Sequence, residues 1–403
     1  MAALSILLSV LVLILITRRY QDKVYRFMAS LAFAGHLFVV FVVIPATPYT
    51  WDIEVFHRAA ISLLSGQFPA ESATVASFGA VEGLLYTFLP SNPKTVSVFN
   101  SLLAVVVFIP IRYLCTQLYP DSTSNHYGVM AFVLFLPLPF FLLSIPMRDS
   151  LSVVLFFGIL ALAIRTLLTR QALLAVSIVP AWGMLVMLRP ELAIVLALGL
   201  LAATITEGFR SAGTGISAPK LIIPLASIGA IGFGLFAELL YPFKAVNAEL
   251  AYRAQGGAVY LDGMQYTSWF DFLLAVPGRA IYFQFSPFPL HVESGFHLLA
   301  FSAMPIVIIL FVSAARSLYV CETHETIAVL LVVVYLAGIA GYGAINSNFG
   351  TNVRHRIVFE FLLIVMAAPV IHRWELSVRK WLGVVPRQRS QHDEHERETQ
   401  KLD

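Results

Sequence analysis

Residues 127–168 read YGVMAFVLFLPLPFFLLSIPMRDSLSVVLFFGILALAIRTLL. Two apolar runs, 127–145 and 151–168, flank one charged pair, Arg148-Asp149. Each run approaches the roughly 20 residues a helix needs to cross a bilayer's hydrocarbon core. Backbone groups in hydrocarbon must be satisfied within their own segment, so the runs read as helices. A membrane barrel would instead show short strands of alternating polarity. Ser144-Ile145-Pro146-Met147-Arg148-Asp149-Ser150 is then a tight turn, and the stretch is a helical hairpin.

The same pattern recurs along the chain. Eleven apolar segments lie roughly at 2–17, 28–46, 96–114, 127–145, 151–168, 172–188, 192–206, 222–240, 297–315, 326–345 and 357–371. The sequence is 59% hydrophobic and 12% charged, against about 25% charge in a soluble domain. The fold class is therefore all-α: a polytopic membrane protein with about 11 transmembrane helices. The first run lacks a basic start, and Arg18-Arg19 follows it in place of a small-residue cleavage site. It reads as a retained helix with its N-terminus outside.

Charge asymmetry sets the expected orientation. Of 26 Lys and Arg, 17 fall in 18–27, 112–126, 165–171, 207–220, 316–325 and 372–403, and nine fall on the other side. The positive-inside rule then puts the C-terminus in the cytoplasm of a multi-pass plasma-membrane protein. Residues 1–380 form one helical domain, and 381–403 read as a charged, disordered cytoplasmic tail. The two long external loops, about 47–95 and 241–295, are expected to carry interfacial helices and function. Cys115 and Cys321 fall near the cytoplasmic face and imply no disulfide framework. There is no phosphate-binding glycine loop, no metal-spaced Cys/His cluster and no sign of a nucleic-acid partner, which argues against ATP-driven transport by this chain alone.

The few charges next to apolar runs share one side. Arg148-Asp149, Arg189-Pro190-Glu191 and Arg354-His355-Arg356 each stand at the end of a run, and Asp52, Glu54 and His57 follow another. That side is the one that normally carries fewer arginines. Local roles explain some of them. Asp149 or Ser150 suits a helix cap, Pro190 suits a first helical position, and Glu191 is expected to cap or to pair with Arg189. Arg356 and Glu360 are four apart and within pairing reach. Residues 50–65 read as a helix lying on the membrane, capped by Thr50, with Asp52 in its first turn and Glu54 and His57 as a solvated pair on one face. The arginines have no such local role. Their planar, permanently charged fork suits phosphate, and a helix N-terminus beside them adds to an anion site. Arg148, Arg189, Arg354 and Arg356 are thus the candidate binding residues for a lipid-linked phosphate or pyrophosphate.

Several of these motifs resemble those of GT-C-class glycosyltransferases and the related O-antigen-polymerase-like proteins of envelope glycan assembly. They are Trp51-Asp52 with Phe56-His57-Arg58-Ala59, Ser144-Ile145-Pro146-Met147-Arg148-Asp149-Ser150-Leu151, Leu188-Arg189-Pro190-Glu191, Phe285-Ser286-Pro287-Phe288-Pro289 and Asn348 through Arg356. The resemblance implies glycosyl transfer on the external face. The donor would be a polyprenyl-phosphate-linked sugar, and the acceptor a glycan or lipid. Asp52 would act as general base on the acceptor hydroxyl. Glu54 or His57 would orient it or bind a divalent metal, and the four arginines would hold the phosphate and stabilise the leaving group. Two other expectations fit the same charges. One is a polymerase or ligase of lipid-linked oligosaccharide, and the other is a transporter for a lipid-linked anion.

Overall fold

The computed structural model describes residues 2–20, 22–47, 52–120, 125–169, 171–212, 243–254, 258–261 and 263–383. Among these residues all regular structure is helical, apart from an isolated antiparallel bridge between Val259 and Asn348. In chain order the helices are α1 (Ala2–Arg19), α2 (Lys23–Ala46, with a π-turn at Val39–Val43), α3 (Ile53–Leu64), α4 (Ala73–Phe88), α5 (Pro93–Leu118), α6 (Tyr127–Phe135) and α7 (Pro137–Leu142). There follow α8 (Asp149–Thr169), α9 (Ala172–Leu188), α10 (Pro190–Ser211), α11 (Phe243–Arg253), α12 (Trp269–Phe285), α13 (Gly295–Val320) and α14 (Glu325–Ile345). The last three are α15 (Phe349–His355), α16 (Ile357–Met366) and α17 (Ala368–Trp381).

Six of these, α2, α5, α8, α10, α13 and α14, are long and apolar enough to cross a membrane. The pair α16–α17, bent by 71°, would make a seventh if counted as one span. The remaining predicted runs form α1, the broken pair α6–α7 and the 17-residue α9. The segment 222–240 lies outside the described residues, as do Thr50, Trp51 and the tail beyond 383. Run 127–145 is interrupted because Leu136 precedes Pro137: a residue before proline is pushed out of the α region, and Leu136 adopts φ −60°, ψ 119°.

Capping residues set where helices start. Asp22 accepts from the backbone N–H groups of Val24 and Tyr25, at 2.9 and 3.1 Å, opening α2. Asn92 does the same for Lys94 ahead of α5 at 2.9 Å. Ser268 and Ser294 open α12 and α13. Each satisfies a donor that the first turn would otherwise leave unpaired.

The long loop between α2 and α5 is a helical hairpin, α3 against α4. The two backbones touch at Gly79, where a Cβ would stand 2.8 Å from the Ala59 Cβ and 3.1 Å from the Ala60 nitrogen. Small residues at a contact let helices approach this closely. In the second long loop α12 lies along α14 in the same manner: a Cβ on Gly343 would stand 2.7 Å from the Arg279 carbonyl oxygen. Arg279 is buried there and donates to the Gly343 and Asn346 carbonyls, each at 2.8 Å, closing the open C-terminal end of α14. The chain direction puts the starts of α8 and α10, the ends of α9 and α14, and the α3–α4 hairpin on one face of the bundle.

Candidate functional site

Arg148 and Asp149 are held by the turn that precedes α8. Asn100, on α5, donates to the Ile145 and Met147 carbonyls at 2.7 and 2.8 Å. The Ser150 hydroxyl donates to the Leu143 carbonyl at 2.7 Å. The turn thus has its buried carbonyls satisfied from a neighbouring helix, and Ser150 is spent on it rather than on capping α8.

Asp149 is the centre of the site. Its carboxylate is 6% exposed and receives two arginines. Arg189 Nη2 donates to Oδ1. Arg354 donates to Oδ2 through both Nε and Nη2, at 3.2 Å each. Arg354 Nη1 then reaches the Asp52 carboxylate, also at 3.2 Å. Asp52 is the outermost member, with a side chain 57% exposed. It stands at the N-cap position of α3, yet its carboxylate makes no capping bond.

Arg189 also donates, through Nη1, to His355 Nε2. Burial, reinforced by the surrounding arginines, drives His355 well below the ordinary histidine range, so it accepts this bond as a neutral imidazole. Arg148 differs from the other two. Its Nη1 donates to the Leu188 carbonyl at 3.0 Å, capping the end of α9. Its Nε is buried without a hydrogen-bond partner, and it forms no ion pair among the described residues. Burial first, and Arg189 second, push it down to about 10, so it remains a cation at neutral pH. Asp149 and Asp52 pair directly with Arg189 and Arg354, while Arg148 has no carboxylate in direct contact and feels Glu191, itself 3.7 Å from Arg253, only through space.

The predicted residues therefore divide. Asp52, Arg148, Arg189 and Arg354 come together. Arg356 does not join them. It is fully buried at the junction of α15 and α16, with Nε 2.7 Å from Glu360 Oε1 and Nη1 donating to the Ser286 carbonyl. Glu54 is exposed and makes no ion pair among the described residues. The expected Glu54–His57 pair is replaced: His57 Nδ1 lies 3.0 Å from the Tyr86 hydroxyl and 3.6 Å from Glu82 Oε1 on α4. The expected Arg189–Glu191 pair is replaced as well. Arg189 turns to Asp149, and Glu191 lies 3.7 Å from Arg253. In sequence Asp149 reads as a cap, and nothing local marks His355, Glu82 or Tyr86 as partners in these contacts. A carboxylate in a first helical turn has a sufficient local explanation, and nothing local reveals that two distant arginines converge on it.

No grouping of three or more His, Cys, Asp or Glu suited to a metal ion occurs among the described residues. One concavity lies at the opposite end of the bundle, among Ile164, Glu207, Arg210 and His324, and involves none of these residues.

Fold and site together define an all-helical protein, with six helices long and apolar enough to cross a membrane, and an arginine–carboxylate cluster gathered from separate helix ends on one face. Compared with family models, curated proteins and solved structures, the chain matches none.

Proposed function

We propose that this chain is a membrane glycosyltransferase that takes a polyprenyl-phosphate-linked sugar at the Arg148–Arg189–Arg354 cluster and passes the sugar to a glycan or lipid acceptor. The face bearing the cluster would be the external one, with the N-terminus outside and the C-terminus in the cytoplasm. The observation that carries this reading is Arg148, which no carboxylate pairs directly and whose Nε is left without a hydrogen-bond partner. Arg148 is a half-buried guanidinium without a carboxylate partner, beside two arginines already turned toward Asp149. Charged groups buried among membrane-spanning helices are costly and are kept where they act.

An anion fits this arrangement through exchange. A phosphate arriving from the exposed side meets Arg354 at the Asp52 contact, replaces that carboxylate and gains Arg148. Asp149 holds Arg189 and the inner edge of Arg354 in place behind it. The prearranged guanidiniums would then stabilise the charge that develops on the phosphate oxygen as the bond to the sugar breaks. Asp52, freed from Arg354, and His57, about one and a half turns further along α3, are the two groups near enough in sequence to take the acceptor's proton.

The test is transfer from radiolabelled polyprenyl-phosphate sugars by the full chain in proteoliposomes. Wild type is expected to release polyprenyl phosphate and label an acceptor. Arg148→Ala and Arg354→Ala are expected to lose roughly 100-fold or more, the scale on which removing one prearranged donor acts. Transfer only from pyrophosphate-linked oligosaccharide would move the assignment to a polymerase or ligase, and no transfer from either donor would overturn it.

A further inference from the structure

The α3–α4 hairpin, whose Asp52 meets Arg354, holds a second titratable group. Close packing at Gly79 brings the two helices together, and the face they share carries His57, Tyr86 and Glu82. The Tyr86 hydroxyl donates to Glu82 Oε1. His57 Nδ1 is 3.0 Å from the same hydroxyl. Tyr86 spends its one proton on Glu82, so its oxygen is left to accept, and Nδ1 must be the protonated ring nitrogen. That assigns the tautomer and leaves Nε2 as the free base. Glu82 is 1% exposed and its Oε2 is buried without a hydrogen-bond partner. A buried carboxylate with one oxygen unsatisfied is costly to keep for packing alone. His57 is 29% exposed and thus open to the outside, while its partners are not. Asp52, the alternative base, is engaged by Arg354 in the resting protein.

We propose that His57 is the group that takes the acceptor's proton, with Tyr86 and Glu82 as positioning residues that fix its tautomer and balance its charge. This rests on the transferase reading above. As the acceptor oxygen bonds to the anomeric carbon, its proton passes to His57 Nε2. The bond from that carbon to the phosphate oxygen breaks, and its electron pair leaves with the polyprenyl phosphate, which the arginines hold. The imidazolium so formed faces the Glu82 carboxylate through Tyr86. Proton transfer of this kind contributes about 10²–10⁴-fold.

The electrostatic setting is sparse. Helix α9, packed on α4, carries no titratable side chain. Helix α5 brings Lys94, whose ammonium lies over the Phe41 ring at 5.6 Å. Helix α3 adds Glu54 and Arg58, both exposed. Burial lowers His57, keeping it an unprotonated base at neutral pH, and raises Glu82 to about 7. A carboxylate raised in this way gains its proton as pH falls through about 7. The charge that supports the imidazolium is lost in the same window, so the rate is expected to fall below pH 7.

The experiment compares wild type, Asp52→Asn, His57→Gln, Glu82→Gln and Tyr86→Phe in the proteoliposome assay, with farnesyl phosphate binding as the check on folding. His57→Gln is expected to lose roughly 100-fold or more in kcat while still binding farnesyl phosphate. Glu82→Gln should remove the fall in rate near pH 7, and Asp52→Asn should cost less in kcat than His57→Gln. Full activity in His57→Gln, or an unchanged pH profile in Glu82→Gln, would overturn the proposal. A second readout does not depend on transfer: carbethoxylation of His57 by diethyl pyrocarbonate, located by mass spectrometry. At pH 8, where Glu82 is ionised, its charge should speed this modification through Tyr86, and Glu82→Gln should slow it. If wild type transfers nothing, the transferase reading falls and the role of His57 with it. If the carbethoxylation rate at pH 8 is the same in Glu82→Gln as in wild type, the coupling itself is wrong.

Discussion

Asp149→Asn is expected to be among the most damaging single changes in the protein, lowering its resistance to SDS-induced unfolding by about 3–5 kcal/mol. The carboxylate is buried and receives Arg189 on one oxygen and Arg354 on the other. Asparagine keeps the volume and loses the charge, so it leaves two desolvated guanidiniums facing one another with no anion between them. Removing one partner of a buried pair costs more than the pair contributes, because the survivor stays desolvated. The variant should also respond to ligand in a way that a purely structural cluster would not. Farnesyl phosphate supplies the missing anion, so it should stabilise Asp149→Asn more than wild type under the same conditions. Loss of stability without any recovery by farnesyl phosphate would mean that the cluster braces the bundle and binds no phosphate.

Arg356→Met is the second large effect, and it has the opposite functional sign. Arg356 and Glu360 are both fully buried and paired at 2.7 Å within the bundle. The single change leaves Glu360 unpaired in that interior and should cost about 3–5 kcal/mol. The double change Arg356→Met with Glu360→Leu removes both charges and should recover most of the loss, since apolar side chains of similar volume often replace a buried ion pair without penalty. The double variant is also expected to bind farnesyl phosphate as wild type does. SDS-induced unfolding and binding measured on the same samples separate the two roles. A stable double variant that fails to bind would return Arg356 to the site.

The fold class was legible in the sequence because a bilayer imposes long apolar helices. The cluster was partly legible too. Arg148, Arg189 and Arg354 stand against the charge bias at helix ends, and the structure brings all three together with Asp52. What sequence could not resolve was partner choice. Arg354 lies on α15 and Arg356 at the junction of α15 and α16, two positions apart, and they diverge, one to Asp149 and one to Glu360. Asp149 and Glu191 each had a plausible local role, and both find partners distant in sequence instead. Glu82 sat inside an apolar stretch with no motif around it. Only the hairpin contact at Gly79 brings His57 within reach of it. The break at Leu136 was carried by Pro137, a local signal that the apolar run obscured.

The central claim is that the arginine cluster binds a lipid-linked phosphate, and Arg148 is its most exacting test. The measurement is farnesyl phosphate affinity of the full chain in nanodiscs at low salt, for wild type, Arg148→Ala and Arg316→Ala, the last an exposed arginine at the opposite end of the bundle. Loss of one charge-assisted hydrogen bond is worth roughly 10-fold or more in affinity. Weakening of at least that size in Arg148→Ala, with Arg316→Ala unchanged, is the result expected. Equal affinity in all three would contradict it.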